Sequence, residues 1–132
     1  MGYFYGMEHA PPEVLDFYGR VSRAWCAETC APRMRSGWTR ENAALGQCSV
    51  TAFLAQDVLG GEVYGVPLDD GNFHCFNVID GETYDFTVSQ FKNGKLNYSK
   101  DHPQHRNVHF AKEEKKRRYE LLKQLWLAQE EH

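Results

Sequence analysis

The fold is decided by residues 46–61, which read GQCSVTAFLAQDVLGG. Apolar side chains lie nearly all round this segment, as they do in a helix that is buried on every side. The glycine pair at its end, Gly60 and Gly61, is a strong signal for the end of a helix. Because the helix is expected to begin near Gln47, Cys48 falls in its first turn. The stretch therefore predicts a central buried helix with a thiol at its N-terminal end.

Downstream of this helix the apolar residues alternate with polar ones, which is typical of β-strands. Strands are predicted at about 62–66, 73–79 and 82–87. The last two are joined by Asp80-Gly81, and this dipeptide between alternating runs is a strong signal for a β-hairpin. The sequence thus predicts a small antiparallel sheet directly after the central helix.

Helices are also predicted on both sides of this unit. Pro12 and the acidic Glu13 suit the first turn of a helix over about 12–25. A charged amphipathic helix is predicted over about 111–129. Its apolar stripe consists of Tyr119, Leu122, Leu125 and Trp126. The predicted class is α+β, with a central buried helix packed on a small antiparallel sheet, flanking N- and C-terminal helices, and one domain over 1–132.

Composition and charge exclude several classes of protein. Of the 132 residues, 42% are hydrophobic and 25% are charged, which argues against a disordered chain. The net charge of -3 gives no reason to expect binding to nucleic acid or to an anionic membrane. No apolar run approaches the roughly 20 residues of a membrane helix, and the N-terminus does not resemble a signal peptide. We therefore expect a cytoplasmic protein whose four cysteines are free thiols.

Cys48 has the chemical context of a nucleophile. A thiol reacts as its thiolate, and both a helix N-terminus and a neighbouring imidazolium favour that anion. The backbone N–H of Cys48 also lacks an intrahelical partner, because the first four N–H groups of a helix always do. Such an N–H can stabilise an oxyanion when the thiolate attacks a carbonyl group.

The predicted hairpin supplies a base and a carboxylate for this thiol. If Asp80 and Gly81 form the two-residue loop, His74 lies opposite Thr87 and diagonal to Asp85. Side chains alternate across a strand, so His74 and Asp85 then share one face of the sheet. A carboxylate at that distance can orient the imidazole and leave its second nitrogen for the thiol, which is the logic of a catalytic triad.

Two short segments resemble the active site of transglutaminases. Residues 46–50 (GQCSV) are similar to the nucleophile segment of that superfamily, and residues 72–77 (NFHCFN) are similar to its histidine strand. Members of the superfamily carry Cys on a central helix, followed by His and Asp on neighbouring antiparallel strands. The resemblance implies a papain-like or transglutaminase-like core with Cys48, His74 and Asp85 as its catalytic residues.

A second likeness covers most of the chain and is to the YunG-like family of bacterial proteins. The residues that carry it are 25–30, 38–42, 46–52, 56–61, 81–87, His74, Asn77, Gln90 and Phe91. This resemblance implies the same fold and triad and leaves the substrate open. The chain departs from the family pattern after the histidine, where it has Cys75. That extra thiol raises the question of which cysteine reacts, and strand alternation, which turns Cys75 away from His74, favours Cys48.

Two further residues are candidates for an oxyanion hole. Gln47 resembles the glutamine of papain-like sites, although here it directly precedes the nucleophile. The indole N–H of Trp38 resembles the tryptophan donor of transglutaminases. Ordinary structural roles are the alternative for both, namely capping or packing for Gln47 and burial for Trp38.

Metal binding is a weaker alternative reading of the cysteines. Cys26 and Cys30 are spaced i, i+4 and share a face if the first helix continues, so they could bind zinc with Cys48 or a histidine. No pair of Cys-x-x-Cys motifs supports such a site, and we expect no metal and no cofactor.

The remaining histidines and cations are predicted to be solvated. His102, His105 and His109 lie in a polar segment that is expected to be a loop over about 94–106 and its continuation. The run 112–118 mixes lysine and arginine with glutamate, which is typical of a solvated helical face.

The leading functional hypothesis is a cysteine-dependent hydrolase or acyltransferase. It would act on an amide, isopeptide or thioester in a peptide or small molecule, with Cys48 attacking, His74 transferring the proton and Asp85 orienting His74. The alternative is a non-catalytic binding module on the same fold, because a short chain leaves few residues for substrate-binding loops. The sequence does not distinguish hydrolysis from transfer and does not give the oligomeric state.

Overall fold

A computed structural model describes residues 2–91 and 96–129 of the chain. Within these ranges, the helices are α1 (Pro12–Ala24), α2 (Cys48–Leu59), α3 (Arg106–His109) and α4 (Glu113–Ala128). The strands are β1 (Glu62–Pro67), β2 (Phe73–Ile79) and β3 (Glu82–Tyr84), which form an antiparallel sheet in the order β1-β2-β3. The chain is therefore a mixed α+β protein with a small three-stranded sheet, as predicted from the sequence.

The central helix α2 begins and ends where the sequence predicts. Gly46 has a positive φ of 71°, and a Cβ atom there would lie 2.5 Å from the Cys30 sulfur, so glycine allows the tight entry into the helix. Gly60 ends the helix with a φ of 85°. Residues 49–55 are all buried, between the sheet on one side and α1 and α4 on the others. This burial fixes the position of Cys48 at the N-terminal end of the helix.

The β2–β3 hairpin has the predicted register. Ile79 pairs with Glu82 across the two-residue loop, and Asp80 and Gly81 have φ values of 52° and 80°. Two consecutive positive φ angles are those of a type I′ turn, which matches the twist of a hairpin. The first pairs beyond the turn therefore follow the register that the sequence predicted.

The third strand is shorter than predicted. It ends at Tyr84 rather than near residue 87, because the backbone of Asp85 pairs with Tyr5 instead of with β2. Tyr5 N–H donates to the Asp85 carbonyl and Asp85 N–H donates to the Tyr5 carbonyl, both at 3.1 Å. The N-terminal segment thus pairs with the chain at the point where Asp85 leaves the hairpin.

The flanking helices pack on the core through aromatic side chains. Leu122 of α4 is fully buried, and the indole of Trp126 lies 5.9 Å from the ring of Phe17 on α1. The Arg20 guanidinium lies over the Trp126 ring at 3.7 Å. The connector between α1 and α2 contains short 3-10 helices at Ala27–Thr29, Pro32–Gly37 and Arg40–Asn42.

Within the described ranges, none of the helices has both the length and the apolar content that crossing a membrane requires. Of the loop predicted over about 94–106, residues 94 and 95 lie outside the described residues. The polar segment ends at α3, which begins with Arg106.

Candidate active site

Cys48 is the first residue of α2 and lines a cavity of about 670 Å³. Its side chain is half-buried, and its sulfur lies 4.0 Å from the carbonyl oxygen of Phe73 at the start of β2. The backbone N–H of Cys48 belongs to the first turn of the helix, where no carbonyl of the same helix accepts it. The thiol therefore combines a helix N-terminus with access to an open space.

Asp85 is fully buried, and its carboxylate is held by His74, Thr87 and Tyr98. The backbone N–H of Thr87 donates to Oδ1 at 3.1 Å, and the Tyr98 hydroxyl donates to Oδ2 at 2.8 Å. Oδ2 also lies 2.7 Å from Nε2 of His74. A carboxylate in the interior is stable only with such partners, because its desolvation is otherwise very costly. The short β3 strand makes this possible, since Asp85 leaves the ladder and turns its carboxylate inward.

His74 lies between Asp85 and Cys48. It is 1% exposed, and its ring makes a T-shaped contact with the ring of Phe91, with centroids 4.7 Å apart. Because Nε2 bonds to Asp85, the imidazole has Nδ1 left for the thiol, and hydrogen bonding and charge link the ring to Cys48. The structure thus brings the three predicted residues together in the order Asp85, His74, Cys48.

Cys75 is a fourth member of this group. It is 2% exposed and belongs to the core between β2 and α2, on the other side of the strand from His74. Its thiol nevertheless shares a hydrogen bond with the sulfur of Cys48. The sequence analysis treated Cys75 as a competitor for the role of nucleophile, whereas in the structure it is a buried partner of Cys48.

The charges of the site follow from these contacts. The hydrogen bond from Cys75 is the largest influence and lowers the pKa of Cys48 well below the ordinary thiol value, with His74 adding to the effect against the opposing influence of burial. The same bond, together with burial, raises the pKa of Cys75. Burial opposes protonation of His74, but its bonds to Asp85 and Cys48 and their charges raise its pKa to about 10. The arrangement therefore favours a thiolate at Cys48 paired with an imidazolium at His74.

The residues that line the cavity beside Cys48 are of mixed character. Met34, Phe73 and Phe91 contribute to its apolar lining. The part of the lining that comes from α3 and the start of α4, here called the cationic wall, includes His109, Lys112 and Lys115. Cavities of this size and mixed character are typical of sites for small molecules or short peptide segments.

Sequence reasoning missed residues on the cationic wall. His109 was predicted to be a solvated loop residue, yet it is half-buried with Nε2 2.8 Å from Oε1 of Gln104 and Nδ1 2.9 Å from Nζ of Lys115. Lys115 and Arg118, predicted to lie on a solvated face, are half-buried and buried respectively. The signal was available, because Lys115 stands four residues before Tyr119 and so continues the apolar stripe of the helix.

Tyr98 was missed as well. Its hydroxyl bonds to Asp85, although nothing in the polar segment around it in the sequence indicates that contact. Burial and the charge of Asp85 raise the pKa of Tyr98, so this phenol remains a proton donor to the carboxylate.

The structure does not bring the two predicted oxyanion donors into the site. Gln47 is fully buried, and its Nε2 donates to the Cys26 carbonyl at 3.0 Å. The Trp38 indole N–H donates to the Ala43 carbonyl at 3.0 Å. Both side chains thus bond to backbone carbonyls of the connector between α1 and α2. This is a structural role, as the alternative for these residues proposed.

In the part of the chain that the structure describes, Cys26 and Cys30 are not arranged as ligands of a zinc ion. Cys30 is fully buried with its thiol near the Ala31 carbonyl, and Cys26 begins a 3-10 helix. Residues 2–91 and 96–129 contain no group of three or more His, Cys, Asp or Glu placed to hold a metal ion.

Comparisons with known proteins identify relatives but give no activity. The family model described as YunG protein matches residues 13–130. The chain is 44% identical over 57 residues to a protein of Bacillus subtilis (strain 168) named Uncharacterized protein YunG. That match covers 43% of this chain and 49% of the relative, so it spans about half of the relative's length. No solved structure matches the chain significantly.

Proposed function

The chain belongs to the YunG family, and from this premise we propose that it is a cysteine-dependent hydrolase or acyltransferase. The observation that carries the proposal is that buried Asp85 bonds to His74, and that His74 and a half-buried Cys48 line the same cavity, where their charges act on each other. A structural cysteine needs neither a helix N-terminus nor an imidazole oriented by a carboxylate.

In the proposed reaction the Cys48 thiolate attacks the carbonyl carbon of an amide, isopeptide or thioester. A sulfur–carbon bond forms, and the carbonyl electrons move to the oxygen, where the backbone N–H of Cys48 donates to the oxyanion. His74 then gives the proton on Nδ1 to the leaving amine or thiolate as its bond to the carbonyl carbon breaks. Water or an amine then attacks the carbonyl carbon of the resulting thioester and gives a proton to His74. The sulfur–carbon bond breaks, the acid or the new amide leaves, and the Cys48 thiolate and the His74 imidazolium are restored. Asp85 holds the imidazole in the required orientation throughout.

We further propose that the core is of the papain-like or transglutaminase-like type. Three features support this assignment: the chain order Cys48, His74, Asp85, the position of the cysteine at the start of the central helix, and the antiparallel strand that carries the histidine. The bond of Asp85 to one ring nitrogen, with the other left for the thiol, agrees with the same assignment.

The proposal is tested by labelling the native protein with iodoacetamide across pH. Alkylation of Cys48, followed by peptide mass spectrometry, should increase with pH through a midpoint below the roughly 8.5 of a free thiol. His74→Gln should shift this midpoint upward and lower the rate at pH 6 by about tenfold or more, since each pKa unit changes the thiolate fraction about tenfold. His9→Gln is the matched control, because His9 lies exposed on the Met7–His9 helix away from the cavity.

Acyl transfer itself is measured with p-nitrophenyl acetate. We expect a burst of p-nitrophenolate and an acetyl group on Cys48, both of which Cys48→Ala removes. A Cys48 that is alkylated only after denaturation, with no acetylation, would instead identify a binding module that retains the fold without chemistry.

A further inference from the structure

Lys115 on α4 lies in an unusual position for a lysine. Its side chain is half-buried and lines the same cavity as Cys48. Burial lowers the pKa of Lys115, while the charges of Cys75 and Cys48 act in the opposite direction. A lysine side chain ordinarily extends into water, so a half-buried lysine in a cavity is expected to have a partner.

A chain of hydrogen bonds fixes where the Lys115 amino group stands. The Gln104 side-chain N–H donates to the His102 carbonyl, which leaves Gln104 Oε1 as an acceptor. His109 Nε2 must then carry the proton that this oxygen accepts, and His109 Nδ1 accepts from Lys115 at 2.9 Å. Burial and the Lys115 charge lower the pKa of His109 to about 4, so the ring is neutral at pH 7. One of the three donors of Lys115 is used in this way.

The two arginines that line the cavity are already paired with carboxylates. Arg33 pairs with Asp70 at 3.3 Å, and Arg118 pairs with Glu114 at 2.6 Å. These two acids are the carboxylates among the described residues that line the cavity. Over residues 2–91 and 96–129, no carboxylate lies within ion-pair distance of Lys115, and Lys112 beside it adds a second cation. The cavity that Cys48 lines therefore presents two ammonium groups, those of Lys112 and Lys115.

We infer that the cavity binds a substrate whose carboxylate pairs with Lys115, an inference that rests on the proposed function. The substrate class is an acyl compound, such as a peptide segment, with an apolar part against Phe73 and Phe91 and a carboxylate near the carbonyl that Cys48 attacks. The Lys115 ammonium is a compact point charge, and two of its three donors are left to bind a carboxylate. A phosphate dianion is better matched by the fork of an arginine, and both arginines here are occupied.

Two alkylating reagents of nearly equal size test this assignment. Iodoacetate carries a carboxylate and iodoacetamide a neutral amide, and both react with the same thiolate. The measured quantity is the ratio of their rate constants at Cys48, divided by the same ratio for 2-mercaptoethanol. We expect this normalised ratio to fall about tenfold in Lys115→Met, the scale on which a local charge changes encounter rates at low ionic strength.

Two variants control this comparison. Lys123→Met removes the same charge from an exposed position on α4, and we expect it to leave the ratio unchanged. Lys115→Arg keeps the charge and should keep most of the preference for iodoacetate. Circular dichroism establishes that each variant is folded. In the wild type the preference should also weaken with added salt, a measurement that remains decisive if Lys115→Met fails to fold.

The outcomes separate the two proposals. A ratio that neither Lys115→Met nor salt changes overturns the carboxylate assignment, while rapid iodoacetamide labelling would leave the proposed function intact. If Cys48 reacts with neither reagent in the native protein, the proposed function fails and the substrate assignment fails with it. A ratio that falls equally in Lys115→Met and Lys123→Met also overturns the assignment, because net charge alone would then explain it.

Discussion

His74 and His109 line one cavity and differ in their charge at neutral pH. His74, on β2, bonds to the buried carboxylate of Asp85 and to Cys48, and its pKa is raised to about 10. His109, at the end of α3, bonds to Lys115, and burial and that cation lower its pKa to about 4. Both rings are shielded from solvent to some extent, so burial does not account for the difference.

The difference shows that the partner decides what a histidine does in this protein. A carboxylate and a thiolate make His74 an imidazolium, which can give a proton to a leaving group. An ammonium makes His109 a neutral acceptor, which can position a lysine but not supply a proton at neutral pH. At neutral pH His74 thus carries a proton on both ring nitrogens, whereas His109 accepts from the Lys115 ammonium.

The largest expected effect comes from removing the carboxylate of Asp85, which bonds to His74. Asp85→Ala leaves the Tyr98 hydroxyl, the Thr87 N–H and the His74 imidazole without their acceptor. Breaking a buried pair by removing one partner typically costs about 3–5 kcal/mol. We expect the free energy of unfolding, measured with urea, to fall by about that amount.

The matched control for Asp85→Ala is Asp101→Ala. Asp101 is exposed, so its loss should change the free energy of unfolding by about 0.5 kcal/mol or less. Equal effects of the two substitutions would mean that Asp85 is not held as the structure indicates.

The contrast between the two rings can be measured directly by NMR titration of their imidazole resonances. We expect His74 to stay protonated until about pH 10 and His109 to stay neutral until about pH 4. Cys48→Ser should lower the His74 midpoint, because it removes the thiolate charge, and should leave the His109 midpoint in the acidic range. Titration of both rings near the ordinary value of about 6.5 would remove the contrast.

The sign of the stability change at acidic pH follows from the His109 pKa. In the unfolded chain this histidine takes up a proton near pH 6.5, whereas in the folded protein it does so only near pH 4. Between these values the unfolded state binds more protons, so stability falls as the pH is lowered. His109→Gln should reduce this part of the acid sensitivity, as measured by thermal unfolding between pH 6.5 and 4.

The smallest expected effect concerns Trp38, which does not line the cavity. Trp38→Phe removes the indole hydrogen bond to Ala43 and should destabilise the protein by roughly 1 kcal/mol. The rate of Cys48 alkylation should change by less than about twofold. This is much less than the factor of ten in rate that corresponds to about 1.4 kcal/mol. A large loss of acylation by p-nitrophenyl acetate in Trp38→Phe would instead restore the indole as an oxyanion donor.

The local sequence was sufficient to predict the elements that carry Cys48 and His74 and the turn that precedes Asp85. The apolar pattern of residues 46–61 located α2 and its terminal Cys48, and Asp80-Gly81 fixed the hairpin register. These signals work because helix ends and two-residue turns are specified by neighbouring residues. The contact between His74 and Asp85 followed from that register, although β3 ends earlier than expected.

Side-chain contacts that no helical period or turn specifies could not be predicted in this way. Tyr98 approaches Asp85 from a polar segment, and Gln104, His109 and Lys115 connect three consecutive parts of the chain. Side-chain type does not specify such pairings, because a tyrosine or lysine in a polar run is most often solvated. The same reasoning explains why the donors of Gln47 and Trp38 were assigned to the site although carbonyl groups of the connector accept them.

The sequence by itself thus determined a buried helix that begins with a thiol, next to a hairpin that carries histidine and aspartate, because periodicity and turn chemistry are local properties. Only the tertiary structure decided the charge of each histidine, the partnership of Cys48 with Cys75 and the cationic wall of the cavity. The physical reason is that a pKa depends on which groups lie within a few Å in space, and packing of remote segments alone establishes those neighbours.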